Sequence, residues 1–236
     1  MKNKKNIIYI VSREHEITYT GIKFSEFMDY LKTPIENILL LKANYIGNNF
    51  YKNFELVEGK EYIDDFKKED IYNYGTFCFL DYSTYEKLNL LSDRDIADLL
   101  FMAHMFKPLN NPFYNSINNR FVYLAHDDGF FCKLYCRETN DFFDVLCKKI
   151  TNSVKNTSKK NICYIDETEQ KKILELASDG LLIDFEEIVV SKNDVSIKLF
   201  SVGRHINMDK ILNGYQALKS NSNKTQLIKY KIQGDS

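Results

Sequence analysis

The chain is 236 residues long, 44% hydrophobic and 28% charged, with 32 Lys and Arg against 33 Asp and Glu. That length allows one large or two small domains, and the apolar fraction supports a packed core rather than a disordered chain. A net charge of −1 removes the bulk positive field of a dedicated nucleic-acid binder, and no apolar run approaches the roughly 20 residues of a membrane-crossing helix.

The first residues, Met1–Asn6, are basic, but the apolar run Ile7–Val11 stops at Ser12-Arg13-Glu14. That is too short for a signal-peptide core, so the segment reads as a first strand of a cytoplasmic protein. Ser25 is placed to cap a short helix carrying Phe27, Met28 and Leu31 and ended before Pro34. Ile38–Leu41 and Thr76–Leu80 have the length and apolar content of buried strands, and Asp81 follows the second. Ser92-x-x-Asp95 resembles a capping box. The helix behind it groups Ile96, Leu99, Leu100, Ala103 and Phe106, while Phe101, Met102 and Met105 make it apolar almost all round. Such a helix is expected at the centre of an N-terminal domain, with His104 as a hydrogen-bonded core histidine.

Asn119–Arg137 carries the strongest local signal, two alternating runs joined by Asp128-Gly129. Glycine adopts positive φ freely and aspartate tolerates it, so a two-residue turn there sets Ala125 opposite Cys132 and His126 opposite Phe131. One face then holds Phe121, Tyr123, Ala125, Asp127, Phe130, Cys132, Leu134 and Cys136, a core set with one acid at its turn end. The other holds Arg120, Val122, Leu124, His126, Phe131, Lys133, Tyr135 and Arg137. Cations and aromatics on one face could hold an anionic or planar ligand, or could be a half-solvated sheet face. Arg120, His126, Lys133, Tyr135 and Arg137 are therefore the candidate ligand-binding residues. His126 and Asp127 are neighbours on a strand and point to opposite faces, which argues against an acid–base dyad.

Thr139 or Asn140 is placed to start a helix burying Phe142, Phe143, Leu146, Cys147 and Ile150. Thr151–Lys160 is polar, and residues 153–160 read as a linker between an N-terminal α+β domain (1–152) and a smaller C-terminal one (161–236). The C-terminal pattern is a strand at Ile162–Ile165, a helix capped by Asp166, strands at Leu181–Val190 and Val195–Phe200, a helix capped by Asn207, and a strand at Thr225–Ile232. That β-α-β-β-α-β order is the ferredoxin-like arrangement. It invites an RNA-binding reading, but Val195–Phe200 lacks the aromatic run that stacks bases.

The five cysteines contain no Cys-x-x-Cys pair, and Cys132 and Cys136 would stand about 13 Å apart on one strand, so buried free thiols are expected. Glycine-rich phosphate loops, the nucleophile elbow and metal-ligand spacings are all missing from the sequence. No cofactor is expected.

At Asn118–Phe131, preceded by His104-Met-Phe-Lys-Pro-Leu, the chain resembles an uncharacterised family of soluble proteins from Gram-positive spore-forming bacteria, some labelled oxalate:formate antiporter. The resemblance implies no catalytic residue. The transporter label conflicts with the lack of spanning segments. The reading that results is a cytoplasmic α+β protein acting as a non-enzymatic binding module for a protein partner or a small anionic ligand, without nucleic acid or membrane. Two alternatives stand beside it: a metal-assisted hydrolase using Asp81, Asp127 or His126, and a structural or assembly role.

Overall fold

The computed structural model describes residues 6–19, 24–41, 54–68, 77–126, 131–205, 207–220 and 226–232. The protein is a mixed α+β fold, and every strand pairing described is antiparallel. The chain divides into two units, one made of residues 21–142 and the other of residues 1–20 together with 143–236.

Strands β1 (Ile7–Val11) and β2 (Glu16–Tyr19) belong to the other unit; in the 21–142 unit helix α1 (Phe24–Tyr30) precedes strand β3 (Asn37–Leu41). Strand β4 (Phe54–Glu58), helix α2 (Lys60–Lys68), strand β5 (Phe77–Asp81), helix α3 (Asp93–Met102), strand β6 (Phe121–Ala125) and strand β7 (Cys132–Cys136) complete it. The strands lie in the order β7-β6-β5-β3-β4. Ser25 falls inside α1 rather than before it.

The β6–β7 register pairs Ala125 with Cys132 and Phe121 with Cys136, as a two-residue turn at Asp128-Gly129 requires; the turn itself lies outside the described residues. One face packs the rings of Phe77, Phe79 and Tyr123 against Phe24 and Phe27 of α1, edge-on for Phe24–Phe77 at 5.2 Å and stacked for Phe27–Tyr123 at 5.5 Å. The opposite face, carrying Leu39, Leu41, Cys78, Leu80, Val122, Leu124 and Tyr135, forms one apolar cluster with Leu99, Met102 and Ala103 of α3. Both faces of β5, β6 and β7 are therefore covered. The half-solvated face is not observed, because α3 and the loop after it lie over it.

The capping box forms as expected: the Asp95 amide donates to Ser92 Oγ at 3.2 Å and the Ser92 amide donates to Asp95 Oδ2 at 2.9 Å. The helix does not sit at the centre of the unit. Leu99 and Met102 are buried, but Ala97 and His104 are exposed and Phe106 is half-exposed. His104 is thus a surface residue and not a core histidine.

In the other unit β1 (Ile7–Val11) and β2 (Glu16–Tyr19) form a hairpin. Helix α4 (Thr139–Ser158) begins in the preceding unit, and α5 (Glu167–Ala177), β8 (Leu181–Asp184), β9 (Val189–Val190), β10 (Asp194–Ser201), α6 (Met208–Lys219) and β11 (Gln226–Lys231) follow. The proposed linker is not a break: α4 continues to Ser158, with Thr151, Ser153 and Val154 buried on it. The order is β11-β10-β8-β1-β2. It departs from the ferredoxin-like arrangement, since the expected first strand supplies only the bridge Ile162–Ile232 and the N-terminal hairpin pairs beside β8. Helix α6 lays Ile211 and Tyr215 on Ile7, Tyr9, Leu182 and Phe200, and the Tyr215 hydroxyl donates to Asp184 Oδ2 at 2.6 Å.

Candidate functional site

The five residues singled out in the hairpin have different placements. Tyr135 is buried in the cluster under α3. Lys133 points to the same side and donates from Nζ to the Met105 carbonyl at 3.0 Å. Arg137 donates to the Tyr114 carbonyl at 3.1 Å and to Asn118 Oδ1 at 3.3 Å, with its guanidinium 5.5 Å above the Phe113 ring. Arg120 faces Asp141, with N–O distances of 3.1 and 3.2 Å, and reaches the Thr33 carbonyl at 3.3 Å. His126 is exposed, and its backbone amide donates to the Phe131 carbonyl. The cations therefore do not form one platform: Lys133 and Arg137 fasten the segment between α3 and β6, while Arg120 joins β6 to the start of α4.

Of the acid–imidazole alternative, Asp81 and His126 lie at opposite ends of β6. Asp81 sits where β6 begins: its Oδ1 accepts from the amides of Arg120 at 2.8 Å and Phe121 at 2.7 Å. His126 lies past the far end of β6, five residues on, which at ~3.3 Å per residue is about 16 Å away. Asp127 lies outside the described residues. Among the described residues there is no group of three or more His, Cys, Asp or Glu side chains placed to hold a metal ion. Asp81 is nevertheless perturbed. Burial pushes its carboxyl from the ordinary value of 3.8 up to about 6, outweighing the two amide donors and the nearby Arg120 charge, which act the other way.

A cleft of about 520 Å³ opens between the first turns of α3 and the loop fastened by Lys133 and Arg137. Its helix side is formed by Arg94, Asp95 and Asp98, its loop side by Asn110, Asn111, Asn115 and Ser116, and its apolar parts by Leu90, Phe113 and Tyr114. Asp98 is only 4% exposed. It accepts from the Leu109 amide at 3.3 Å and from the Tyr114 hydroxyl at 3.2 Å. Burial, then the Asp98 charge, push the Tyr114 hydroxyl far above its ordinary range, so it stays a donor at all ordinary pH.

The loop is held by a buried amide. Asn119, fully buried, accepts from the Tyr114 amide at 2.8 Å and donates to the Pro112 carbonyl at 3.1 Å. Asn111 Oδ1 accepts from the Phe113 amide at 3.0 Å, and Arg94 donates to Asn110 Oδ1 at 3.0 Å. Met105 and Asn118 take left-handed backbone at φ 63° and 53° at the two ends of the loop. Such residues are uncommon outside glycine and persist where surrounding contacts over-determine them.

Chemically the cleft is a set of hydrogen-bonding groups on a fixed frame. Among the described residues its polar lining is Arg94, Asp95, Asp98, the asparagines, Ser116 and Tyr114, with Asp95 engaged in the helix cap. These groups present hydrogen-bond donors and acceptors suited to polar recognition. The sequence reading missed it because Asp98 resembles any solvated acid. A signal was present: Asp98 stands next to Leu99 and four residues before Met102, on the stripe that faces the sheet, where an acid needs partners.

Comparison of the chain with protein-family models, with curated proteins and with solved structures returns no match. Among the described residues no helix is long and apolar enough to cross a membrane.

Proposed function

We propose that this protein is a non-enzymatic binding module and that the cleft between α3 and the 103–120 loop is its ligand site. The observation that carries the reading is a 520 Å³ cleft with the buried Asp98, 4% exposed, in its wall, framed by a loop held through Asn119, Asn111 and Asn110. A wall ordered before the ligand arrives lowers the entropic cost of binding. The cleft's formal charges, Asp95 and Asp98 against Arg94, sum to −1, so the small anionic ligand expected from the hairpin face has little support here. A ligand rich in hydrogen-bond donors suits it better. Membership of the spore-former family belongs to the same proposal and adds no residue to the site.

The test is a thermal-shift screen of the whole chain against amines, sugars, carboxylates and nucleotides at millimolar concentration. Hits should raise the Tm of the native chain and fail on Asp98→Asn and Asn111→Ala. Hits that survive both substitutions but vanish with Arg120→Ala would return the site to the hairpin and overturn the reading.

A further inference from the structure

We propose that the cleft receives a lysine or arginine side chain presented by a partner protein, an inference that rests on the cleft being the binding site. Three observations converge. The wall carries two carboxylates, Asp98 and the Asp95 whose Oδ2 also closes the helix cap, and Arg94, the one cation lining it among the described residues, is turned onto Asn110 Oδ1 at 3.0 Å. On the loop side Asn110 Oδ1 already accepts from Arg94 and Asn111 Oδ1 from the Phe113 amide; a carbonyl oxygen has two lone pairs, so each retains one acceptor direction for a cation's N–H group. Asp98 already accepts two hydrogen bonds; a carboxylate has about four lone-pair directions, so it can accept from a third donor.

The entering group belongs to a protein rather than to a free amine because of what flanks the cleft. Leu90, in its wall, is 67% exposed. Leu109, whose amide is bonded to Asp98, is 69% exposed. Leu90 and Leu109 offer exposed apolar area on which the neighbours of an entering cation could be laid. A partner segment of the pattern apolar-basic-apolar would place its cation against Asp98 and lay its apolar neighbours on Leu90 and Leu109. The long aliphatic stem of lysine or arginine would run past Phe113 on the way in.

The test is fluorescence anisotropy of the whole chain with a fluorescein-labelled peptide, Gly-Leu-Lys-Leu-Gly, and the matching peptide with glutamine in place of lysine. The lysine peptide should bind at least tenfold tighter. Asp98→Asn should bring it to the glutamine level. Because Asp98 also holds the loop, a second variant guards against simple misfolding: Leu90→Ser with Leu109→Ser, both on exposed positions, should weaken the lysine peptide at least fivefold. Equal affinity for the two peptides would overturn the basic side chain as the occupant while leaving the cleft a binding site. Displacement of the peptide by butylammonium at comparable concentration would make the occupant a small amine and overturn the protein partner. Absence of binding by either peptide at millimolar concentration overturns the inference, and the cleft reading then stands or falls on the thermal-shift screen alone.

Discussion

Asp81 is the most sharply testable residue in the structure. Its carboxyl is buried, and burial drives it from 3.8 to about 6 despite two amide donors on Oδ1. In the unfolded chain it titrates near 3.8, so the folded state holds its proton more tightly. The stability linked to that proton is fully present below about pH 3.8, declines as the pH rises, and is lost above about 6. At about 1.4 kcal/mol per tenfold change in proton affinity, the full swing is about 3 kcal/mol, of which about 2 kcal/mol falls between pH 4.5 and 7.5. Asp81→Asn keeps a side-chain oxygen to accept from Arg120 and Phe121 but cannot ionise. Urea unfolding followed by circular dichroism, run on both chains across that range, should show the variant gaining about 2 kcal/mol relative to the native chain as the pH rises. A flat difference would mean that the amide donors cancel the burial. A difference of opposite slope would mean that they outweigh it.

Asn119→Ala removes the fully buried amide that holds Tyr114 and Pro112; it should cost roughly 2 kcal/mol in urea unfolding, and a loss under half of that would show the loop to be fastened elsewhere. Gly180 has φ +94°, and a Cβ there would stand 2.2 Å from the Gly203 carbonyl oxygen. Gly180→Ala should therefore destabilise by about 3 kcal/mol or more, and an unchanged unfolding midpoint would contradict that close approach. Lys133→Met leaves the stem but removes the bond to the Met105 carbonyl. It should lower stability by about 1 kcal/mol and leave direct contact with any ligand untouched, whereas complete loss of ligand binding at unchanged stability would restore the hairpin face as the site. A double-mutant cycle on Arg120 and Asp141, a pair with side chains 26% and 18% exposed, should give a coupling of about 1 kcal/mol.

What could be read from the chain was local. The register Ala125–Cys132 is the one expected from an Asp128-Gly129 turn, and Ser92, Asp166 and Asn207 each cap the helix expected behind them, because registers and caps are decided by residues within a few positions of one another. What could not be read was what covers what. Val122, Leu124 and Tyr135 alternate with Lys133 as a half-wet face would, yet α3 lies over them, and the cations escape burial by bonding to carbonyls at the edge of that cover. The segment 153–160 reads as a linker by composition, yet most of it lies in α4 because Ser153 and Val154 are small enough to be buried there. The ferredoxin-like order failed for a similar reason. Strand patterns carry no label for their neighbours, and β1, far away in sequence, fits beside β8.

If ligand meets the chain at α3 and its following loop, amide chemical-shift mapping of the isotope-labelled protein with the lysine peptide will show it. Shifts should be confined to residues 90–116, with the Leu109 amide, bonded to Asp98, among the largest. Shifts centred on Arg120, His126 and Lys133, with residues 90–116 silent, would contradict it.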